Sequence, residues 1–326
     1  MAADAQPTAV PRPLVSRPEI RLAMLGMVEG NGHPYSWSAI FNGYDRAAMA
    51  GCPYAGIPEY LNKQPPETLR IPGARVTHIW ADDPAAARHV ATCSLIPNVV
   101  AAATDVIGQV DAVIVATDIG HEHVARCRPF VEAGLPVFVD KPMVDNAADL
   151  RVFRDWVAAG RPILSSSSMR YTKEYAPYRL STAELGALRY VSITTPKSWE
   201  RYGIHALEGM YPILGPGFLS VRNTGTPERN IVHLKHARGA DVVVVATKDM
   251  TGSFGVLTLC GTAGNVSVSS RDTFYSFRSQ LVAFVEYLRT GVRPFPFSET
   301  EELMRLLIAG IVSREQGGRE VRREEI

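Results

Sequence analysis

The run Asp111-Ala-Val-Ile-Val-Ala-Thr117 constrains this chain more than any other stretch. Its interior is apolar at every position and β-branched at Val113, Ile114 and Val115. A segment without a polar face predicts a strand buried on both sides, which requires helices above and below the sheet. The flanking sequence supplies that alternation. Arg21–Gly26, Ala74–Trp80, Leu135–Val139 and Pro162–Ser165 are further strand candidates. Pro84–Cys93 reads as a helix with proline in its first turn behind Asp82 and Asp83 as caps. Glu122–Gly134 and Asn146–Gly160 are helical runs stopped by glycine. Strands and helices in this order predict βαβ units and a doubly wound parallel sheet over residues 20–168.

Beyond residue 168 the pattern changes. Strand candidates gather at Ala187–Thr195, Ile231–Lys235, Asp241–Thr247, Gly255–Cys260 and Asn265–Ser269, with helices at Gly203–Leu214, Ser276–Thr290 and Glu299–Arg314. This half, 169–326, reads as an α+β domain with a mostly antiparallel open sheet that binds substrate and pairs subunits. At about 150 residues per domain, a chain of 326 residues accommodates both. Residues 1–19 contain four prolines and predict a flexible tail. Residues 42–73, rich in proline and glycine and carrying Tyr44, Tyr54 and Tyr60, read as a surface flap inserted between the first helix and second strand.

Lysine plus arginine exceed aspartate plus glutamate by one, so charge points to neither nucleic acid nor an anionic membrane. No apolar run reaches the roughly 18 residues that span a bilayer. Cys52, Cys93, Cys127 and Cys260 have no C-x-x-C spacing and read as buried thiols of a reducing, cytoplasmic compartment. His121 and His123 form H-x-H without further ligands at a metal-binding spacing, so no metal is expected.

In a doubly wound sheet, ligands bind beyond the carboxyl ends of the strands. The first strand ends in Gly26-Met-Val28-Glu-Gly30-Asn31-Gly-His33. Gly26 and Gly30 allow a tight turn and close approach to a diphosphate, while Val28 and Asn31 stand where a regular glycine fingerprint has its other glycines. Asp82, at the end of the second strand, is placed to meet ribose hydroxyls or to cap the next helix. An acid there favours NAD, with NADP the alternative because Arg75 and Arg88 flank the region. His33, Tyr35 and Trp37 open the first helix and fit either the crevice or the core. Lys141, in Asp140-Lys141-Pro142, closes another strand where the crevice opens and is held extended by its proline.

Together these residues carry a resemblance. His123–Gly134 followed by Phe138-Val-Asp140-Lys141-Pro142 resembles the helix, A-G and E-K-P signature of the glucose–fructose oxidoreductase/inositol dehydrogenase (Gfo/Idh/MocA) family. The 111–117 strand, Met169-Arg170-Tyr171, and Arg201-Tyr202-Gly203-Ile204-His205 match further segments of that family. The resemblance implies a Rossmann domain followed by an α+β domain. It also implies an NAD(P)-dependent dehydrogenase of a sugar, cyclitol or sugar acid, with Lys141 and His205 as the catalytic pair. Thr117, Asp118, His123 and Asp140 then fall beside the cofactor. Three departures stand out: Asp140 replaces glutamate, the glycine turn is irregular, and Arg201 replaces an aspartate four residues before the histidine.

The pair makes chemical sense. An imidazole with a pKa near about 6.5 suits proton transfer at neutral pH, and a lysine near about 10.4 remains an ammonium that stabilises an alkoxide. Around them Arg170, Tyr171, Trp199, Arg201 and Tyr202 are candidate substrate residues, rings for an apolar sugar face and polar groups for hydroxyls. Arg201 or Lys197 would alternatively bind a carboxylate, and Lys197 and Glu200 read equally as solvated loop residues. Two other functions stay open on sequence: a non-catalytic nucleotide-binding regulator, and a redox-assisted lyase or glycosidase holding its NAD tightly. A homodimer or homotetramer is expected from the open second sheet.

Overall fold

A computed structural model describes residues 11–326 of the chain. The first half builds a six-stranded sheet from β1 (Ile20–Leu25), β2 (Ala74–Trp80), β3 (Asn98–Val99), β4 (Ala112–Val115), β5 (Val137–Val139) and β6 (Ile163–Ser165). The spatial order is β3-β2-β1-β4-β5-β6 and every pairing is parallel. All four residues of β4 are buried, as its unbroken apolar run requires. The order reverses between β1 and β4, which opens a crevice at their carboxyl ends.

Helices α1 (His33–Asn42), α2 (Arg46–Met49), α3 (Gly56–Asn62), α4 (Pro84–Cys93), α5 (His123–Glu132) and α6 (Ala147–Ala158) accompany these strands. Asp83 caps α4 by accepting from the backbone of Ala85, so the capping role falls to Asp83 and not Asp82. Residues 42–73 are no loose flap. They contain α2 and α3, bury Met49, Cys52, Ile57, Leu61 and Ile71 in the core, and set Tyr54 and Ile57 against Gly32. Apolar side chains at these positions outweigh the proline and glycine signal.

The second sheet has seven strands, ordered β12-β11-β7-β10-β9-β8-β13. They are β7 (Leu188–Pro196), β8 (Phe218–Asn223), β9 (Arg229–His236), β10 (Asp241–Thr247), β11 (Val256–Gly261), β12 (Asn265–Ser269) and β13 (Val321–Arg322). Only β7 and β10 pair in parallel. The helices of this half are α7 (Ala176–Leu180), α8 (Ile204–Leu214), α9 (Thr273–Thr290) and α10 (Phe297–Glu315). β3, β8 and β13 have no counterpart among the sequence candidates. Two are only two residues long, and β8 starts directly after Gly215-Pro216-Gly217, a turn signal that masks it.

Helix α9 returns to the first sheet: Phe284 and Leu288 share a core with Trp37, Phe138 and Leu164. Of the expected tail, residues 1–10 lie outside the described residues. Leu14 and Val15 donate to the carbonyl of Leu288, so residues 14 and 15 dock on the end of α9. Cys52, Cys93 and Cys127 are buried free thiols, and Cys260 is half-buried. Among the described residues no helix is long and apolar enough to cross a membrane.

Candidate active site

The crevice begins where β1 ends. Gly26 turns the chain at φ 85°, and a Cβ there would lie 2.7 Å from Cγ2 of Thr117, two residues beyond the β4 end. Only glycine allows this approach. Gly30 is also left-handed, at φ 79°. Between them Val28 accepts a backbone bond from Asn31, closing the turn without a third glycine. Asn31 is buried: its amide donates to Ala116 O and Asp140, and its oxygen accepts from His33 N. Its side chain therefore fixes the loop and is not available to a ligand.

Beside this turn lies a cavity of about 170 Å³ lined by Leu25, Gly26, Trp80, Thr104, Val115 and Arg126. It sits at the carboxyl ends of β1, β2 and β4, small and apolar enough for a nucleobase. Asp82 stands half-exposed at its edge, bonded to Arg126, which also holds Glu122. His123 is withdrawn from the crevice. Fully buried, it bonds Met143 O through Nδ1 and Thr117 through Nε2, so both nitrogens staple the strand ends from behind. His121 faces Asp145 instead, so the two histidines of H-x-H point to different partners.

The charged heart of the site forms across the two halves. The Lys141–Pro142 peptide is cis. Lys141 is 2% exposed, and its Nζ lies 3.4 Å from Asp118, itself 1% exposed. Arg201, from the second half, grips the same carboxylate at 2.5 and 3.1 Å and also donates to Glu29 O. Burial alone would raise Asp118, but Lys141 and Arg201 outweigh it and hold the carboxyl below its ordinary range. Asp140 is spent structurally. It accepts from His33 Nδ1 at 2.6 Å, from Asn31 and from the backbone of Lys141, which leaves it a positioning group.

His205 arrives on the first turn of α8, after a π-helical turn at Trp199–Gly203. Its Nδ1 is 2.7 Å from Ser167 Oγ. Burial first, then the charges of Lys141, His33 and Lys197, push the imidazole well below 6.5, so it is neutral at pH 7. Tyr202 links the two expected catalytic residues. Its ring centroid is 4.7 Å from Lys141 Nζ and 4.8 Å from the His205 ring. Lysine and imidazole thus converge on one aromatic side chain.

Next to them opens a cavity of about 330 Å³. His205, Tyr202 and His33 stand on its wall with Phe254 and Phe277, while Ser168, Thr251, Ser270 and Thr273 add hydroxyls. No carboxylate lines it. Four of the five substrate candidates do not line it, and one of these, Arg201, is held on Asp118. Trp199 is fully buried, wedged against Gly203 and Gly310 and donating to Leu307 O. Arg170 is locked to Glu208 and Glu299, and the hydroxyl of Tyr171 is buried outside the cavity. For Trp199 and Arg170 the cause is the same: each side chain found its partner inside the second half. Trp37 likewise stacks behind His33 at 4.2 Å, and Tyr35 is core.

Sequence reasoning did not single out Ser167, Phe254 or Phe277. The serine run 165–168 carried the signal for the first, and nothing local marked the other two. A larger groove, about 670 Å³, lies elsewhere among Glu299, Glu301, Glu302, Arg305 and Arg323. Its acids are already paired with Arg170, Arg305 and Arg323.

The doubly wound parallel sheet with its glycine turn has the architecture of a dinucleotide-binding fold. Residues 46–158 match the model of the Gfo/Idh/MocA oxidoreductase family, described by its NAD-binding Rossmann fold. A stretch of 69 residues is 45% identical to inositol 2-dehydrogenase 1 of Saccharopolyspora erythraea, covering 20% of each chain. The chain therefore spans about a fifth of the length of that curated relative. Myo-inositol 2-dehydrogenase of Lactobacillus plantarum superposes with a TM-score of 0.74 at 13% identity, covering 93% of this chain and 99% of that one. Scyllo-inositol dehydrogenase of Lactobacillus casei, solved with NAD(H) and scyllo-inositol, gives 0.73 at 13% identity over 94% and 99%. These likenesses establish the fold over nearly the whole chain.

Proposed function

We propose that this protein is an NAD-dependent dehydrogenase that moves hydride between the nicotinamide and a secondary alcohol or ketone of a neutral ring polyol. The observation that carries the reading is the meeting of Lys141 and His205 on Tyr202, beside a cavity of hydroxyls and aromatic rings. Gly26, Gly30 and the following helix would hold the diphosphate, and the small cavity by Trp80 and Arg126 the adenine. Asp82 would take the adenosine ribose. Arg126 is committed to Asp82 and Glu122 and so is not the arginine for a 2′-phosphate, and the acid at Asp82 favours NAD over NADP.

When bound, the nicotinamide supplies the hydride acceptor. The chain's own groups do the rest. Lys141 donates a hydrogen bond to the reacting oxygen and stabilises the negative charge that grows on it. His205 accepts the hydroxyl proton at Nε2. For this its Nδ1–H donates to Ser167 Oγ, which fixes ring and tautomer. Asp118 keeps the ammonium in place. Tyr202, Phe254 and Phe277 offer faces to ring C–H bonds and exclude water. Arg201 is taken by Asp118, so the cavity favours a neutral polyol over a sugar acid.

The test is reduced-nicotinamide formation across a panel of inositols, neutral sugars and uronates. Turnover of a neutral polyol, lowered about 10²–10³-fold in Lys141→Ala and His205→Ala with NADH still bound, is the expected result. Tight NADH binding with no turnover of any panel member sinks the dehydrogenase reading and leaves a nucleotide-binding regulator.

A further inference from the structure

The segment between β7 and α8 contains a backbone irregularity that the roles of Lys141 and His205 leave unexplained. Lys197 adopts φ 62°, a left-handed conformation that costs a non-glycine residue energy and persists only where its surroundings enforce it. What the conformation secures is the direction of the side chain. Lys197 Nζ donates to Tyr202 Oη at 2.7 Å and reaches across the crevice to the carbonyl oxygen of Gly30 at 3.2 Å. It also lies 4.3 Å from the centre of the Tyr202 ring.

All of these partners are neutral. The other cations nearby each have a carboxylate: Lys141 and Arg201 share Asp118, and Arg170 holds Glu208 and Glu299. Among the described residues, Lys197 makes no such pair. Gly30 belongs to the left-handed turn that leads into α1, a ten-residue helix with no acidic residue in its first turn, where Asn31 Oδ1 accepts from His33 N and Asp140 accepts from His33 Nδ1. A helix N-terminus carries partial positive charge from its unpaired N–H groups. An ammonium supplied by one half is thus aimed at the backbone of the glycine turn of the other, and it forms no ion pair with Glu29 of that turn or with Asp140 beside it.

We propose that Lys197 is a ligand of the dinucleotide's diphosphate, closing over the glycine turn from the second half of the chain. On binding, Nζ exchanges the Gly30 carbonyl for a phosphate oxygen, and the cofactor itself ties the two halves together. This inference rests on the dinucleotide reading of the crevice. An acidic group on the substrate is the other source of the same anionic chemistry, and the experiment separates the two.

The full chain is compared with Lys197→Met and Lys197→Arg. NADH binding is followed by its fluorescence, and ADP-ribose, which carries the diphosphate without nicotinamide, by calorimetry. Lys197→Met is expected to weaken both ligands by about tenfold or more, as loss of a charge-assisted hydrogen bond does. Lys197→Arg is expected to restore most of the affinity, and the salt dependence of ADP-ribose binding is expected to be shallower in Lys197→Met. Unchanged affinity for both ligands overturns the proposal. Unchanged affinity together with selective loss of glucuronate turnover overturns it as well, and assigns the ammonium to the substrate. Wild-type protein that binds neither NADH nor ADP-ribose fails at an earlier point, and removes the dinucleotide reading itself.

Discussion

Two clusters of buried charge can be set side by side. At the crevice Lys141 pairs with Asp118, and Arg201 joins from the other half. In the core of the second half Arg170, 8% exposed, pairs with Glu208 and Glu299 and lies 4.0 Å from the centre of the Phe295 ring. Burial is similar, and both clusters shift the acidity of their members. Burial lifts Glu208 above its ordinary range even against Arg170, whereas two cations hold Asp118 below its own. The difference is access. The Lys141 cluster abuts Tyr202 and His205 on a cavity wall, whereas Arg170 stays outside that cavity and spends its donors on fixed acids. A perturbed buried charge marks a reaction site only where a ligand can reach its neighbours.

This contrast predicts different failures. Arg170→Met leaves Glu208 without its main partner in the core, so unfolding by denaturant is expected to show a loss of about 3–5 kcal/mol. Turnover per folded molecule should stay near wild type, and a loss of turnover at full stability would erase the distinction between the clusters. Asp118→Asn is the converse. It leaves Lys141 facing Arg201 without the intervening charge, and kcat is expected to fall about 10- to 100-fold, or about 1.4–2.8 kcal/mol. Unchanged kcat would mean that Lys141 is positioned by other groups.

The smallest effect concerns pH. His205 has a folded-state pKa below that of the unfolded chain, so its neutral form contributes stability that is complete above about pH 6.5. As pH falls below that value the unfolded chain takes up a proton that the folded chain refuses. Stability then drops by at most about 1.4 kcal/mol per pH unit. The comparison of wild type with His205→Gln isolates this contribution, since every other side chain is common to both. Parallel stability curves below pH 6.5 would show that the buried imidazole is charged.

Much of the fold was legible because it depends on local pattern. The apolar run at 111–117 had to be a doubly covered strand, and β4 is buried at every position. Gly26 and Gly30 were read as a tight turn, and both adopt the positive φ that such a turn uses. Lys141 before Pro142 and His205 after Gly203 both stand where the sequence placed them, at a strand end and a helix start. The side chains around them were less legible. Trp199 and Arg170 had suitable chemistry for a sugar pocket, yet each is satisfied by partners more than 30 positions away, Leu307 O and Glu208. Lys197 read equally as a solvated loop residue until the fold set it against Gly30.

Sequence by itself determined the alternation of the main strands and helices, the glycine turn and the positions of the two residues proposed for proton and hydride chemistry. Those features follow from steric limits, hydrophobic period and pKa, which act over a few residues. Tertiary structure alone decided which charges meet. Asp118 joins Lys141 and Arg201, Ser167 orients His205, and Phe277 of α9 comes back to the cavity beside His33. Such contacts are set by how two sheets and a returning helix pack, and electrostatic partners fall off over a few ångströms of space regardless of their separation along the chain.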